Sequence, residues 1–224
     1  MSSSPVRRHA TVAASPRRRG SLDQVLIDAA MDLFASYGYR GTSLARIARA
    51  AGVTKGALYW HFTDKEDFFL AVTERVLDDW NRSVGSAPNA VTPGEYRAEF
   101  LGIFERSAEL NQKYPWVTRL LMIIALESHK IGPRVLRAMR KAQAQQDQFL
   151  RTTVERGKAA GVFDPALDSE WAATHIWATL IGLAQLWYLK GPKFDLRASM
   201  YRQALEFLRA WSAPDSPRES FAVP

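Results

Sequence analysis

Apolar residues recur along this chain at spacings of three and four and nowhere in sustained alternation, a pattern that predicts helices and no sheet. Leu22, Leu26, Ala29, Ala30, Leu33, Phe34 and Tyr37 form the first stripe. Ser21 and Gln24 open it as a capping box, and Gly38 stops it. Leu44, Ile47, Ala48 and Ala51 form a second, shorter stripe, with Thr42 or Ser43 as N-cap and Gly52 as the positive-φ stop. Thr54 caps a third helix after a tight turn plugged by Val53. Thr63 and Glu66 read as another capping box, ahead of a stripe from Phe68 through Val72 to Trp80.

The pattern then breaks at "GSAPNAVTPG", the clearest linker in the chain. Beyond it, Thr92-Pro93-Gly94-Glu95 combines an N-cap, a proline at N1 and a glutamate at N3. Further helices start at Pro115 and Pro133, the latter running to Gly161, and at Asp168 or Ser169, ending at Gly191-Pro192. A last one spans about Leu196 to Trp211. The expectation is an all-α protein of about nine helices. Residues 1–20 make a disordered basic arm, 21–84 a first domain, 93–213 a second, and 214–224 a flexible tail.

Charge sharpens that division. Of the net +7, most lies in residues 1–63, which hold nine Lys/Arg against three acids, whereas the rest holds 21 against 20. Such asymmetry points to a polyanion met by the N-terminal part, or to a solvated basic tail. The chain has no cysteine, which excludes disulfides, thiolate zinc sites and thiol catalysis. The apolar run from Ile176 to Leu189 is too short to span a bilayer. With no secretory signal in view, a cytoplasmic location is expected.

Helix, glycine-containing turn, helix is the helix-turn-helix arrangement, here over residues 43–62, whose second helix enters the DNA major groove N-terminus first. Lys55, Gly56 and Ala57 form its tip: the lysine can donate to guanine or phosphate, and the small residues let the backbone approach base edges. Tyr59, Trp60 and His61 are three consecutive residues that cannot all face one core, and their O–H and N–H groups can reach phosphates. Leu58 and Phe62 point inward. Arg46 and Arg49 are either phosphate contacts or a solvated face. The N-terminus of the next helix, with Lys65, offers an anion site.

"TSLARIARAAGVTKGALYWHFTDKEDFF" resembles the TetR family of bacterial transcriptional regulators. Thr42, Ile47-Ala48, Ala51-Gly52-Val53, Gly56, Leu58-Tyr59, His61-Phe62 and Lys65 carry the likeness, and the "GVTKGALYWHF" form is most similar to members that control efflux pumps. The resemblance covers about the first 85 residues. It implies that Thr42 and Ser43 hold phosphates, that Thr54 opens the recognition helix, and that Lys55, Gly56 and Ala57 meet bases. Tyr59, Trp60, His61 and Lys65 would anchor the backbone. It also implies a two-fold dimer on a palindromic operator.

The second domain is read less specifically. "SEWAATHIWATLIGLAQLWYLK" is apolar around nearly its whole circumference, and Ala173, Ala178 and Gly182 allow another helix to approach. Leu180, Leu183, Ala184 and Trp187, with Tyr201, Leu205 and Leu208 of the last helix, are expected at a four-helix homodimer interface, or else buried within one monomer. Trp80, Phe100, Phe104, Trp116, Phe149 and Trp177 either line an apolar cavity for a small hydrophobic or aromatic effector or form ordinary core. Glu127, Gln146 and His175 are its candidate polar groups, the histidine equally readable as bonded to a backbone carbonyl.

Nothing in the chain calls for a cofactor or metal. His9, His61, His129 and His175 are scattered, and no phosphate loop or nucleophile elbow occurs. The reading is a ligand-responsive DNA-binding repressor. An effector-independent structural DNA-binder and an all-α enzyme are the alternatives.

Overall fold

Helix ends in this chain fall where glycine or a capping side chain permits them. The structure, a computed structural model, describes residues 16–84, 89, 92–115, 117–122, 126 and 132–213. α1 (Pro16–Gly41) is broken at Gly38, whose φ of 69° lies in the region that favours glycine. It begins five residues before Ser21, so residues 16–20 are helical rather than part of a disordered arm; proline at a first helical position leaves no N–H to satisfy. Residues 1–15 and the expected tail at 214–224 lie outside the described residues.

α2 (Leu44–Ala50) is capped by Ser43, whose hydroxyl accepts from the Arg46 N–H at 3.2 Å. Gly52, at φ 68°, turns the chain into α3 (Lys55–His61), where the Thr54 hydroxyl accepts from the Ala57 N–H at 3.1 Å. α4 (Lys65–Val84) is capped one residue later than expected. The Asp64 carboxylate accepts the Asp67 N–H at 2.7 Å, while the Asp67 carboxylate takes the Thr63 N–H at 3.0 Å. Glu66 is drawn away to the next domain instead.

α5 (Pro93–Lys113) opens with the capping box of Thr92 and Glu95 that the spacing predicts. A helical segment, α6, covers 117–122, followed by α7 (Pro133–Ala159) and α8 (Ser169–Lys190), the latter capped by Asp168. A short 3-10 turn leads into α9 (Leu196–Ala210). No strand occurs among the described residues; one bridge, Phe163 with Ser212, ties the α7–α8 loop to the end of α9.

Two apolar cores share α4. Its first half (Phe68, Phe69, Val72) packs with Leu26, Phe34, Ile47 and Leu58 of α1–α3. Its second half (Trp80, Val84) packs with Phe100, Phe104, Val154, Ile176 and Leu208. Val117, Leu120 and Val135 of α6 and α7 belong to the first core, not the second. A rigid 20-residue helix thus runs from one core into the other.

Candidate nucleic-acid interface and ligand cavity

Leu58 is fully buried beneath α3 and Phe62 packs edge-on against Phe68, with ring centroids 4.7 Å apart. That contact fixes the rotation of the helix. Lys55, Gly56, Tyr59 and Trp60 are therefore turned out together, within about 140° of its circumference. Trp60 is 72% exposed, far more than a tryptophan serving only its own fold needs. Its edge meets the half-buried His61 ring, and the Lys55 ammonium lies 5.4 Å from the Tyr59 ring centre. The tip is consequently cationic, aromatic and small-residue, as the spacing implies.

Around it, Ser43 and Thr54 spend their hydroxyls on caps while remaining exposed. Arg46 is exposed, and its guanidinium stacks 3.6 Å over the Tyr37 ring. No spacing in the sequence had paired those two residues, although an exposed tyrosine just before the Gly38 stop is the available signal.

Thr42 departs from the expectation. It is 1% exposed, and its hydroxyl bonds the carbonyls of Gly38 and Leu33, at 3.0 and 3.1 Å. That side chain closes the α1–α2 corner, with its hydroxyl turned inward rather than toward a phosphate. The anion site at the start of α4 also changes, because the Asp64 carboxylate takes the Asp67 N–H and places a negative charge at that helix end. What remains is Lys65, its ammonium 4.1 Å from the Tyr39 ring centre and its pKa lowered by burial.

In the second core, a cavity of about 340 Å³ lies between α4, α6, α7 and α8. Trp80 and Trp177 wall it edge to face, with centroids 5.8 Å apart, alongside Leu121, Met139, Leu180 and Ile181. A narrower lobe of about 60 Å³ shares Trp80, Leu121, Met139 and Trp177 and adds Gln146. Trp80, Trp177 and Gln146 are thus where expected. Phe100 and Phe104 are not: both are fully buried in aromatic core with Tyr96, Phe163 and Phe207. Phe149 packs on that core from its edge. His175 is exposed, its Nδ1 2.8 Å from the Trp171 carbonyl and its ring against the Trp171 ring. Trp116 and Glu127 lie outside the described residues. Asn111, Thr118, Gln143 and Gln185 line the cavity unforeseen, since isolated polar residues on long helices carry no sequence signal.

The dimer expectation also divides. Leu180, Ala184, Leu205 and Leu208 are buried within the monomer itself. Leu183 and Trp187 are part-buried against the second core, and Tyr201 is half-buried. The solvent side of α8 is instead Trp171, Ala178, Leu186 and Leu189, with Gly182 open to its surroundings. Among the described residues no cluster of His, Asp or Glu could hold a metal ion, and no helix is long and apolar enough to cross a membrane.

Residues 26–72 match the profile of bacterial regulatory proteins of the tetR family. Over 184 residues the chain is 30% identical to the HTH-type transcriptional regulator AcrR of Shigella flexneri, covering 78% of this chain and 81% of that one. A TetR transcription regulator from Haloarcula marismortui superposes with a TM-score of 0.71 at 16% identity, over 86% of this chain and 98% of that one. The transcriptional regulator FadR of Bacillus subtilis, solved in complex with stearoyl-CoA, gives 0.65 at 21% identity over 83% and 96%.

Proposed function

The chain belongs to the TetR family of bacterial regulatory proteins, and on that premise we propose that it is a homodimeric repressor released from a palindromic operator by a small apolar effector. It is a helix-turn-helix transcriptional regulator. One observation carries the ligand-responsive part of the reading. Val117, Leu121 and Met139 line the cavity or its lobe and also pack into the core beneath the helix-turn-helix. An occupant that displaces them repacks the floor on which α1, α2 and α4 rest.

Lys55, Gly56 and Ala57 meet base edges, while Ser43, Arg46, Thr54, Tyr59, Trp60, His61 and Lys65 hold the sugar-phosphate backbone. One seven-residue recognition helix reads only a few base pairs, so two copies are needed, with half-site centres about 34–36 Å apart or a multiple of that. The apolar solvent face of α8 supports a two-fold contact. The effector acts by preferring the dimer with the wrong spacing, and its influence cannot exceed that preference. The stearoyl-CoA complex of FadR is a precedent for a small molecule within this fold. The reading places the protein in the cytoplasm with its DNA and assigns no residue to catalysis.

Selection from a randomised duplex library tests it. The full chain is expected to enrich a two-fold symmetric site with that spacing. Binding with no enriched sequence would instead identify an effector-independent structural DNA-binder.

A further inference from the structure

Gln146 is 7% exposed and lines the narrow lobe of the cavity from the middle of α7. Its side-chain oxygen accepts the Trp80 indole N–H at 3.1 Å. An indole nitrogen can only donate, so that bond fixes which end of the amide is oxygen and turns Nε2 the other way. There Nε2 has no hydrogen-bond partner. A buried amide donor left unpaired is a cost that native interiors rarely carry without a reason. Trp80 supplies the reason for its orientation but not for its presence.

The walls add a second constraint. Among the described residues no Lys, Arg, His, Asp or Glu lines either lobe. Against these described walls an ionised group would lose its hydration and gain no counter-charge. Three of the other polar side chains there are already partly committed: Thr118 donates to the Asn111 side-chain oxygen at 2.7 Å, Asn111 donates to the Ser107 carbonyl, and Gln143 donates to the Asp147 carboxylate at 2.8 Å. In size, the main chamber is roughly twice the ~150 Å³ that accommodates one benzene ring.

We infer that the effector is an uncharged molecule of about two rings, carrying a hydrogen-bond acceptor such as a carbonyl oxygen that binds Gln146 Nε2. This rests on the reading of the cavity as the effector site. Trp80 plays two parts: its ring edge walls the chamber, and its N–H orients the glutamine that receives the ligand.

Three probes of matched shape separate the possibilities in calorimetric titrations of the full chain. They are benzophenone, diphenylmethane, which lacks the acceptor, and 4-benzoylbenzoate, which adds a negative charge. Benzophenone is expected to bind about tenfold more tightly than diphenylmethane, the usual scale for one neutral hydrogen bond. The anion is expected to bind most weakly. Gln146→Leu should abolish the ketone's advantage while leaving the hydrocarbon's affinity within about twofold, and Gln146→Met serves should the leucine variant not fold. Equal affinity for ketone and hydrocarbon in the unaltered protein would overturn the acceptor while leaving the cavity as the effector site. Tightest binding of the anion would overturn the neutral class. Binding of none of the three would overturn the effector reading of the cavity itself.

Discussion

At Thr42 the same hydroxyl could hold a phosphate or close the corner between α1 and α2, and its surroundings decide for the corner. Valine has nearly the same shape and no hydroxyl, so Thr42→Val leaves the Leu33 and Gly38 carbonyls without that partner. The expected cost is about 1–3 kcal/mol of folding stability, measured by urea unfolding. Operator affinity at a temperature where the variant is folded should not change its salt dependence, because no phosphate contact is lost. A stable variant with a shallower salt slope would restore the phosphate role. The contrast with Tyr59 and Trp60 shows what a helical period makes legible. Consecutive residues on a seven-residue helix must diverge by about 100° each, so their exposure follows from the burial of Leu58. Thr42 lies outside any periodic run, and its partners are backbone atoms four and nine residues away. Phe100 and Phe104 fail for the opposite reason: a stripe of large aromatics reads alike whether it lines a cavity or fills one.

Between elements, the start of α4 is clasped to the start of α7. Arg134 donates to both Asp64 oxygens at 2.9 and 3.1 Å, with Glu66 and Asp67 within 3.5 and 3.7 Å. Its backbone N–H donates to Glu66 Oε1 at 2.9 Å, and Gly132 is close enough that any β-carbon would strike that carboxylate. The clasp joins the helix after the recognition helix to the helix that carries Met139 and Gln146. Asp64 is held below the ordinary carboxylate range, first by the Asp67 N–H and then by Arg134. A lowered carboxylate pKa stabilises the folded state above its unfolded value, and that contribution is lost as pH falls through the folded value. Arg134→Gln is therefore expected to raise the Asp64 titration midpoint, followed by NMR, without restoring it fully, because the cap persists. Hydrogen exchange in the first turn of α4 should accelerate while α5 and α9 keep their protection. An unchanged midpoint would mean that the guanidinium does not act on Asp64. Local caps such as Thr92 with Glu95 were legible because their partners lie three residues apart. The clasp links residues 70 apart, and Glu66 fits a local capping box equally well on paper.

For the whole molecule, the proposed dimer turns on which face of α8 is free to meet a second copy. Apolar residues all around a helix do not say which side the monomer uses, so the sequence left Leu180 and Ala184 as plausible partners of another chain as of their own. The fold removes that ambiguity. Its own core takes Ala172, Ala173, Ile176, Leu180 and Ala184, leaving Trp171, Ala178, Gly182, Leu186 and Leu189 on the opposite side. Leu189 is 66% exposed, and a β-carbon added at Gly182 would meet nothing within 4 Å. Small residues flanked by large apolar ones let two copies of α8 cross closely. Gly182→Glu is the discriminating change. In a monomer the new side chain points into open space, and glutamate favours a helix interior over glycine by somewhat less than about 1 kcal/mol, so the fold itself loses nothing. In a dimer crossing at this point, two carboxylates would be pressed together without counter-charge, a like-charge contact that costs several kcal/mol. Sedimentation should then show monomers at concentrations where the unaltered chain is dimeric. Circular dichroism should be unchanged. Affinity for the palindrome should fall toward that for an isolated half-site, because the two recognition helices are no longer held at a fixed separation. A Gly182→Glu chain that sediments as an intact dimer would place the interface elsewhere, and the remaining exposed surface of α9 would be the next to test.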